Sequence, residues 1–184
     1  KAPTRRAADL MVATLVQQGV RRVLALPGGT ISPILDAFVD RPEVEVVVCR
    51  HEGDAMFAAA GLARATHELA VVCVTSGPGI LNALTGIANA KCEGLPLLVL
   101  AGEVPRPLHG RQVLQEGSAH HLDVLHMARP ITKPAAEVTR PDGATALLRR
   151  AIQTATSGRQ GPVLLTVPLD VSLASAREMD LVAS

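Results

Sequence analysis

A chain of 184 residues is long enough for one domain with a real core and marginal for two. It is 48% hydrophobic and 19% charged, with Phe38 and Phe57 as its only aromatic side chains, so its core must be built from Val, Leu, Ile and Ala. That is the composition of parallel strands covered by helices on both faces. A net charge of +1 supplies no general attraction for nucleic acid or acidic membranes, and the absence of Trp and Tyr removes base-stacking platforms, so neither partner is expected.

Cys49, Cys73 and Cys92 are odd in number, lack close pairing and read as buried reduced thiols. This points to a cytoplasmic or similarly reducing compartment. No apolar stretch reaches the roughly eighteen residues of a membrane span. The segment KAPTRRAAD lacks the apolar core of a secretory signal, and a start at Lys1 reads as a trimmed terminus. A soluble protein is expected.

In chain order, Thr4 can cap a helix running to about Gln18, with Gly19 as its stop. Val20 to Leu26 reads as a strand, and Pro27-Gly28-Gly29-Thr30 opens a helix over Ile31 to Val39. The apolar run from Val44 ends abruptly in Arg50-His51-Glu52-Gly53-Asp54, and a helix of very small residues follows. Ala70 to Thr75 is a further strand, followed by Ser76-Gly77-Pro78-Gly79 and a helix to about Ala90; Leu97 to Ala101 is the next strand.

The regular pattern then lapses from Glu103 to Arg129, a long irregular connection of the kind that carries function or hides a short helix, here His121 to Met127. Pro130 to Lys133 reads as a short edge strand, Asp142 as the cap of an amphipathic helix stopped by Gly158, and Val163 to Val167 as the last strand. Residues 1–171 form the expected domain, and 172–184 a tail or the start of a linker. The alternation predicts an α/β fold: a single doubly wound parallel sheet of about six strands with helices on both faces. Right-handed crossovers then bring PGGT, RHEGD, TSGPG, GEVPR and VPLD to one edge.

Two readings of Glu52 stand at this level. A carboxylate in a first helical turn is favoured by the helix macrodipole, and a carboxylate at the carboxyl end of a parallel strand lies where ligands bind. TSGPG is equally a tight structural turn or an anion cradle, and it matches neither a P-loop nor G-x-G-x-x-G. Asn82, Thr85, Gly86 and Asn89 form a polar, small helix face that suits solvent or, through Gly86, a close subunit contact. HEGDA lacks the second His of a zinc protease, and His120, His121 and His126 have no partner at ligand spacing, so no metal site is expected. Ser76 lies in no G-x-S-x-G elbow.

The ordered set Pro27-Gly28-Gly29, Arg50-His51-Glu52, Ala58-x-x-Gly61-x-Ala63-Arg64, Thr75-Ser76-Gly77-Pro78-Gly79-x-x-Asn82 and Gly94-x-Pro96-Leu97 is far more specific than any member. It resembles the amino-terminal pyrimidine-binding domain of thiamine-diphosphate enzymes, nearest to acetolactate synthases. The resemblance continues through Gly102 to Arg106, Gln115-Glu116, Ile131-Thr132-Lys133 and Ala155 to Val163.

The resemblance implies that Glu52 hydrogen-bonds a ring nitrogen of the cofactor's aminopyrimidine and is the catalytic carboxylate. It implies that Pro27, Gly28, Pro78, Gly79 and Asn82 pack beside that ring, and that Gly29, Gln115 and Lys133 face the substrate side. It also implies that only the pyrimidine half of thiamine diphosphate is held here. By the same resemblance magnesium, the diphosphate and, where it is used, FAD are expected in domains beyond this sequence; Pro141-Asp142-Gly143 is the nearest approach to a Gly-Asp-Gly motif and reads as a helix cap.

The implied partners are the diphosphate-binding domain of another subunit, a second copy meeting this one through helices of the pyrimidine domain, and a small 2-oxoacid substrate. Val104-Pro105-Arg106-Pro107, Leu114 and His120-His121 depart from the family pattern. Other readings consistent with the chain are an alpha-type subunit of a split decarboxylase and a non-catalytic dimerisation or binding module of the same fold.

Overall fold

The computed structural model describes residues 5–177. In chain order it contains β1 (Arg5–Arg6), α1 (Ala7–Gln17), β2 (Arg22–Ala25), α2 (Ser32–Val39), β3 (Glu45–Val48), α3 (Glu52–Thr66), β4 (Ala70–Val74) and α4 (Pro78–Glu93). There follow β5 (Leu97–Glu103), α5 (Val124–Ala128), β6 (Ala135–Glu137), α6 (Ala144–Thr156), β7 (Val163–Pro168), α7 (Leu169–Leu173) and β8 (Ser175–Ala176). Single 3-10 turns occupy Arg106–Leu108, Arg129–Ile131 and Pro141–Gly143.

Six strands form one sheet in the order β3-β2-β4-β5-β7-β6, every neighbouring pair parallel. All residues of β4, β5 and β7 are buried, as their near-continuous apolar sequences require of strands covered on both faces. Alternate side chains divide between two cores. Val23, Val71, Cys73, Leu98, Leu100 and Leu165 pack under α1, α2 and α6, with Met11, Leu15, Ile34 and Leu148. Leu24, Val72, Val74, Leu97 and Val99 face α3 and α4, with Met56, Ala59, Ala83 and Ile87. The sheet is doubly wound, as the alternation predicts.

The tight pairing of α3 with α4 depends on small residues. A Cβ added to Gly86 would lie 2.3 Å from Cβ of Met56. Gly86 thus faces α3 of its own chain, which removes it from the subunit contact that is one of the two readings of this face. Asn82 and Thr85 do lie exposed on that outer face.

Other expectations are corrected locally. Pro130 to Lys133 is not a strand: Arg129–Ile131 is a 3-10 turn, and the edge strand is β6, entered after Pro134, with Ala135 opposite Leu164. Hydrogen bonding toward β7 starts only at the Lys133 amide, which donates to the Pro162 carbonyl, and Pro134 joins through its carbonyl alone, which accepts the Leu164 amide. Asp142 is not the cap of α6, because Pro141 starts a 3-10 turn that runs directly into the helix behind Gly143. Its Oδ1 instead accepts the amide of Arg177 at 2.9 Å.

Thr4 lies outside the described residues, and α1 is entered at Arg6, whose amide donates to Asp9. From residue 172 to 177 the chain stays on the domain: Ser172 and Ala176 are buried and β8 pairs antiparallel with β1. Of the cysteines, all free thiols, Cys73 is buried, Cys49 half-buried and Cys92 exposed, so burial is corrected for the last two.

Candidate functional site

From β2 the chain moves outward to β3, and from β4 it moves the other way to β5, although β2 and β4 are neighbours. The loops leaving these two strands splay apart at the carboxyl edge, the crevice where open α/β sheets bind ligands. Three hydroxyls stitch them together at its floor. The hydroxyls of Thr30 and Thr75 are 3.0 Å apart, that of Thr30 donates to Ser76 Oγ at 3.2 Å, and the Ser76 amide donates to Thr30 Oγ1 at 3.2 Å. Ser76, which has no nucleophile elbow around it, is fully buried in this structural role. The sequence reading missed Thr30 and Thr75; hydroxyls inside two glycine-rich turns at strand ends were the available signal.

Glu52 is the first residue of α3, and only 5% of it is exposed. The cap of the helix is its neighbour: the ring nitrogen Nδ1 of His51 accepts the Gly53 amide at 3.0 Å. Glu52 reaches away from its own helix, and its Oε2 accepts from Asn82 Nδ2 on α4 at 3.0 Å. Its other oxygen looks onto Gly79, where an added Cβ would stand 3.2 Å from Oε1 and 2.9 Å from the Thr75 methyl. Gly77, with φ +55°, turns the backbone in a conformation that side chains resist and so directs the chain into α4. The result is a buried carboxylate with one oxygen engaged by Asn82 and the other close against Gly79.

Pro27 and Pro78 are exposed at the two lips, and Gly28 lies against Thr75, with an added Cβ 2.5 Å from that residue's own Cβ. Gly29 is exposed beside them, its carbonyl accepting the Ser32 hydroxyl at 2.8 Å. Gln115 comes to the same edge from the irregular segment. Its φ is +61°, and its carbonyl oxygen would stand 2.5 Å from a Cβ on Gly77.

Lys133 is not brought there. It lies where β6 and β7 begin, the opposite edge of the sheet, with its amide on the Pro162 carbonyl and its Nζ on the Ser157 carbonyl at 2.8 Å. A cavity of about 610 Å³ adjoins it, lined also by Lys91 and Arg150. His120 and His126 are exposed and His121 contacts the Glu116 carbonyl at 3.2 Å. Among the described residues no three His, Cys, Asp or Glu side chains gather as metal ligands.

Glu103, at the end of β5, is 1% exposed. Its Oε1 accepts the amides of Val104 at 2.8 Å and Gly117 at 3.1 Å, while Oε2 has no partner. Burial pushes this carboxyl above the ordinary range, opposed by those two amides and by His109 and reinforced by Glu137. Arg106, just beyond, donates to Asp170 in α7, directly after β7, through its amide at 3.0 Å and its guanidinium at 2.9 Å. Ties between these loops thus run across the carboxyl edge.

Residues 5–125 match the family described as thiamine pyrophosphate enzyme, N-terminal TPP binding domain. The chain is 41% identical over 164 residues to the acetolactate synthase isozyme 3 large subunit of Escherichia coli, covering 89% of this chain and 28% of that protein. It is 38% identical over 166 residues to a probable acetolactate synthase large subunit of Methanocaldococcus jannaschii, covering 90% and 27%. It is 37% identical over 167 residues to the chloroplastic acetolactate synthase 3 of Brassica napus, covering 91% and 25%. The chain therefore spans little more than a quarter of the length of these relatives. It belongs to the thiamine pyrophosphate enzymes and corresponds to their N-terminal TPP-binding domain.

Proposed function

We propose that this chain is the pyrimidine-binding part of an acetolactate synthase-like enzyme acting on a small 2-oxoacid, and that Glu52 is its catalytic carboxylate. The observation that carries this reading is Glu52 itself: buried, at the switch-point edge, held at Oε2 by Asn82, with Oε1 beside the bare Cα of Gly79. The residues present fit the cofactor, because its ring nitrogen needs an acceptor and Glu52, held at Oε2 by Asn82, leaves Oε1 without a hydrogen bond among the described residues. Thiamine diphosphate, when bound, supplies the carbanion chemistry of decarboxylation and carboligation.

This chain's residues supply position and proton control. Glu52 Oε1 holds the proton shared with the ring nitrogen, and burial strengthens that hydrogen bond relative to one in water. Asn82 keeps the carboxylate in its rotamer. Pro27, Gly28, Pro78 and Gly79 shape the slot, and Gln115 and Gly29 face the substrate. Lys133, at the amino edge, contributes nothing to this slot.

Contacts to magnesium and the diphosphate, and any FAD, fall to the remaining length of the protein, with the diphosphate half of each site supplied by another subunit. The small, exposed outer face of α3 and α4, where Phe57 is 49% exposed beside Ala58 and Gly61, supports a homodimer through these helices. A cytoplasmic enzyme fits the free thiols.

The test is Glu52→Gln in the full-length protein. Deuterium exchange at the thiazolium carbon is expected to slow by at least about a hundredfold, the scale of a lost general acid-base contact, with an unchanged circular dichroism spectrum. Exchange at the wild-type rate refutes the role of Glu52.

A further inference from the structure

Glu103 lies outside the pyrimidine slot, yet it is among the most buried charged side chains described, and one of its oxygens has no partner. The loop it holds is the one that carries Gln115. Gly117 donates its amide to Glu103 Oε1 at 3.1 Å, and a Cβ on Gly117 would stand 2.6 Å from Glu103 Oε2 and 3.1 Å from the amide nitrogen of Gly77. The Gln115 carbonyl in turn rests on Gly77. Other hydrogen bonds of this segment, from the Gly110 amide at 2.6 Å and the Ser118 hydroxyl at 2.5 Å to Glu116, close the loop on itself. The bond from Gly117 to Glu103 ties it to the sheet.

We propose that Glu103 is the positioning residue of Gln115: from the end of β5 its Oε1 anchors residues 115–117 on the Gly77 turn. The inference rests on the reading that Gln115 faces substrate. The surroundings enclose the carboxyl group and raise its pKa above the ordinary range. Glu103 lines a cavity of about 270 Å³ together with Glu137 from β6, Thr166 from β7, and His109 and His120 from the loop. Thr166 Oγ1 is likewise buried without a partner, and Glu116, also fully buried, adds a second nearby carboxyl on the loop side. Burial and Glu137 favour the proton on Glu103, while the oxygen that both amides use, Oε1, accepts in either protonation state. Glutamine has the same shape and the same carbonyl.

The experiment compares Glu103→Ala, Glu103→Gln and Gly117→Ala in the full-length protein by hydrogen exchange of the peptide spanning residues 110–118. Steady-state kinetics with pyruvate and separate titration of thiamine diphosphate accompany it. Glu103→Ala is expected to speed exchange of that peptide about tenfold or more, leaving β4 and β7 protected. It should raise KM for pyruvate while cofactor affinity stays within about twofold. Glu103→Gln is expected to restore wild-type exchange and KM. Gly117→Ala, which keeps the carboxyl and removes the room for the loop, is expected to match Glu103→Ala, and it serves if the alanine variant at 103 does not fold.

Unchanged loop protection in both alanine variants overturns the proposal, as does a Glu103→Gln variant as impaired as Glu103→Ala. Failure of the wild-type protein to bind thiamine diphosphate overturns the functional reading instead, while the exchange data still decide whether Glu103 anchors the loop.

Discussion

Glu52 and Glu103 are both buried at the carboxyl edge and differ in their partners. Glu52 takes a side-chain amide from Asn82 and leaves one oxygen beside Gly79, whereas Glu103 takes two backbone amides on one oxygen and leaves the other enclosed. Gly79→Ala is expected to push a methyl group against Glu52 Oε1 and Thr75, weakening thiamine diphosphate binding by about tenfold, measurable by calorimetry on the full-length protein. For Glu103 the folded-state pKa is raised by burial, so the folded state binds the proton more tightly than the unfolded chain. Stability therefore falls as pH rises from the unfolded carboxyl value through the raised folded value. Glu103→Gln removes that slope, and denaturant melts at several pH values should find it more stable than wild type on the neutral side. The three thiols separate in the same way. Burial pushes the Cys73 thiol up to about 12, so a thiol reagent is expected to label exposed Cys92 first and Cys73 only on unfolding.

At the scale of elements, the site depends on how closely α3 and α4 approach, because Glu52 starts one helix and Asn82 belongs to the first turns of the other. Gly86 against Met56 sets that approach farther along. Gly86→Ala is expected to force the helices apart at a cost of about 1–3 kcal/mol, read from denaturant unfolding, and to lengthen the contact between Glu52 and Asn82. This polar, small face reads in sequence as a surface, because a 3.6-residue periodicity reports which residues share a stripe and not what opposes them. The displaced edge strand has a similar cause: where an edge segment begins to pair is decided by its partner, here from the Lys133 amide on the Pro162 carbonyl into β6 beside β7.

For the whole molecule, the carboxyl edge is also a mechanical rim. Arg106 after β5 joins Asp170 after β7, and its guanidinium donates to the Thr139 carbonyl after β6 at 2.5 Å. Burial pushes Asp170 up, but the hydrogen bonds and charge of Arg106 outweigh it and hold the carboxyl below its ordinary value. A depressed folded-state value means that this contribution is complete above the unfolded pKa and lost as pH falls through the folded one. Asp170→Asn is expected to cost about 1 kcal/mol at neutral pH and nothing in strong acid, a difference that urea melts across pH would measure.

The alternation of strands and helices, the doubly wound sheet and the convergence of PGGT, RHEGD and TSGPG were legible in the residues themselves. Burial on both faces demands continuous apolar strands, and handedness then dictates which loops share an edge. The placement of Glu52 in the motif set was legible for the same reason. Its freedom from capping duty was not, since His51 and Glu52 are both suited to a first helical turn and only the fold turns one toward Gly53 and the other toward Asn82. The separation of Lys133 from Gln115 likewise needed the sheet: they stand 18 positions apart in sequence and at opposite ends of its strands. Local chemistry names the side chains that can do a job. Long-range pairing, which no short window of sequence contains, selects those that meet.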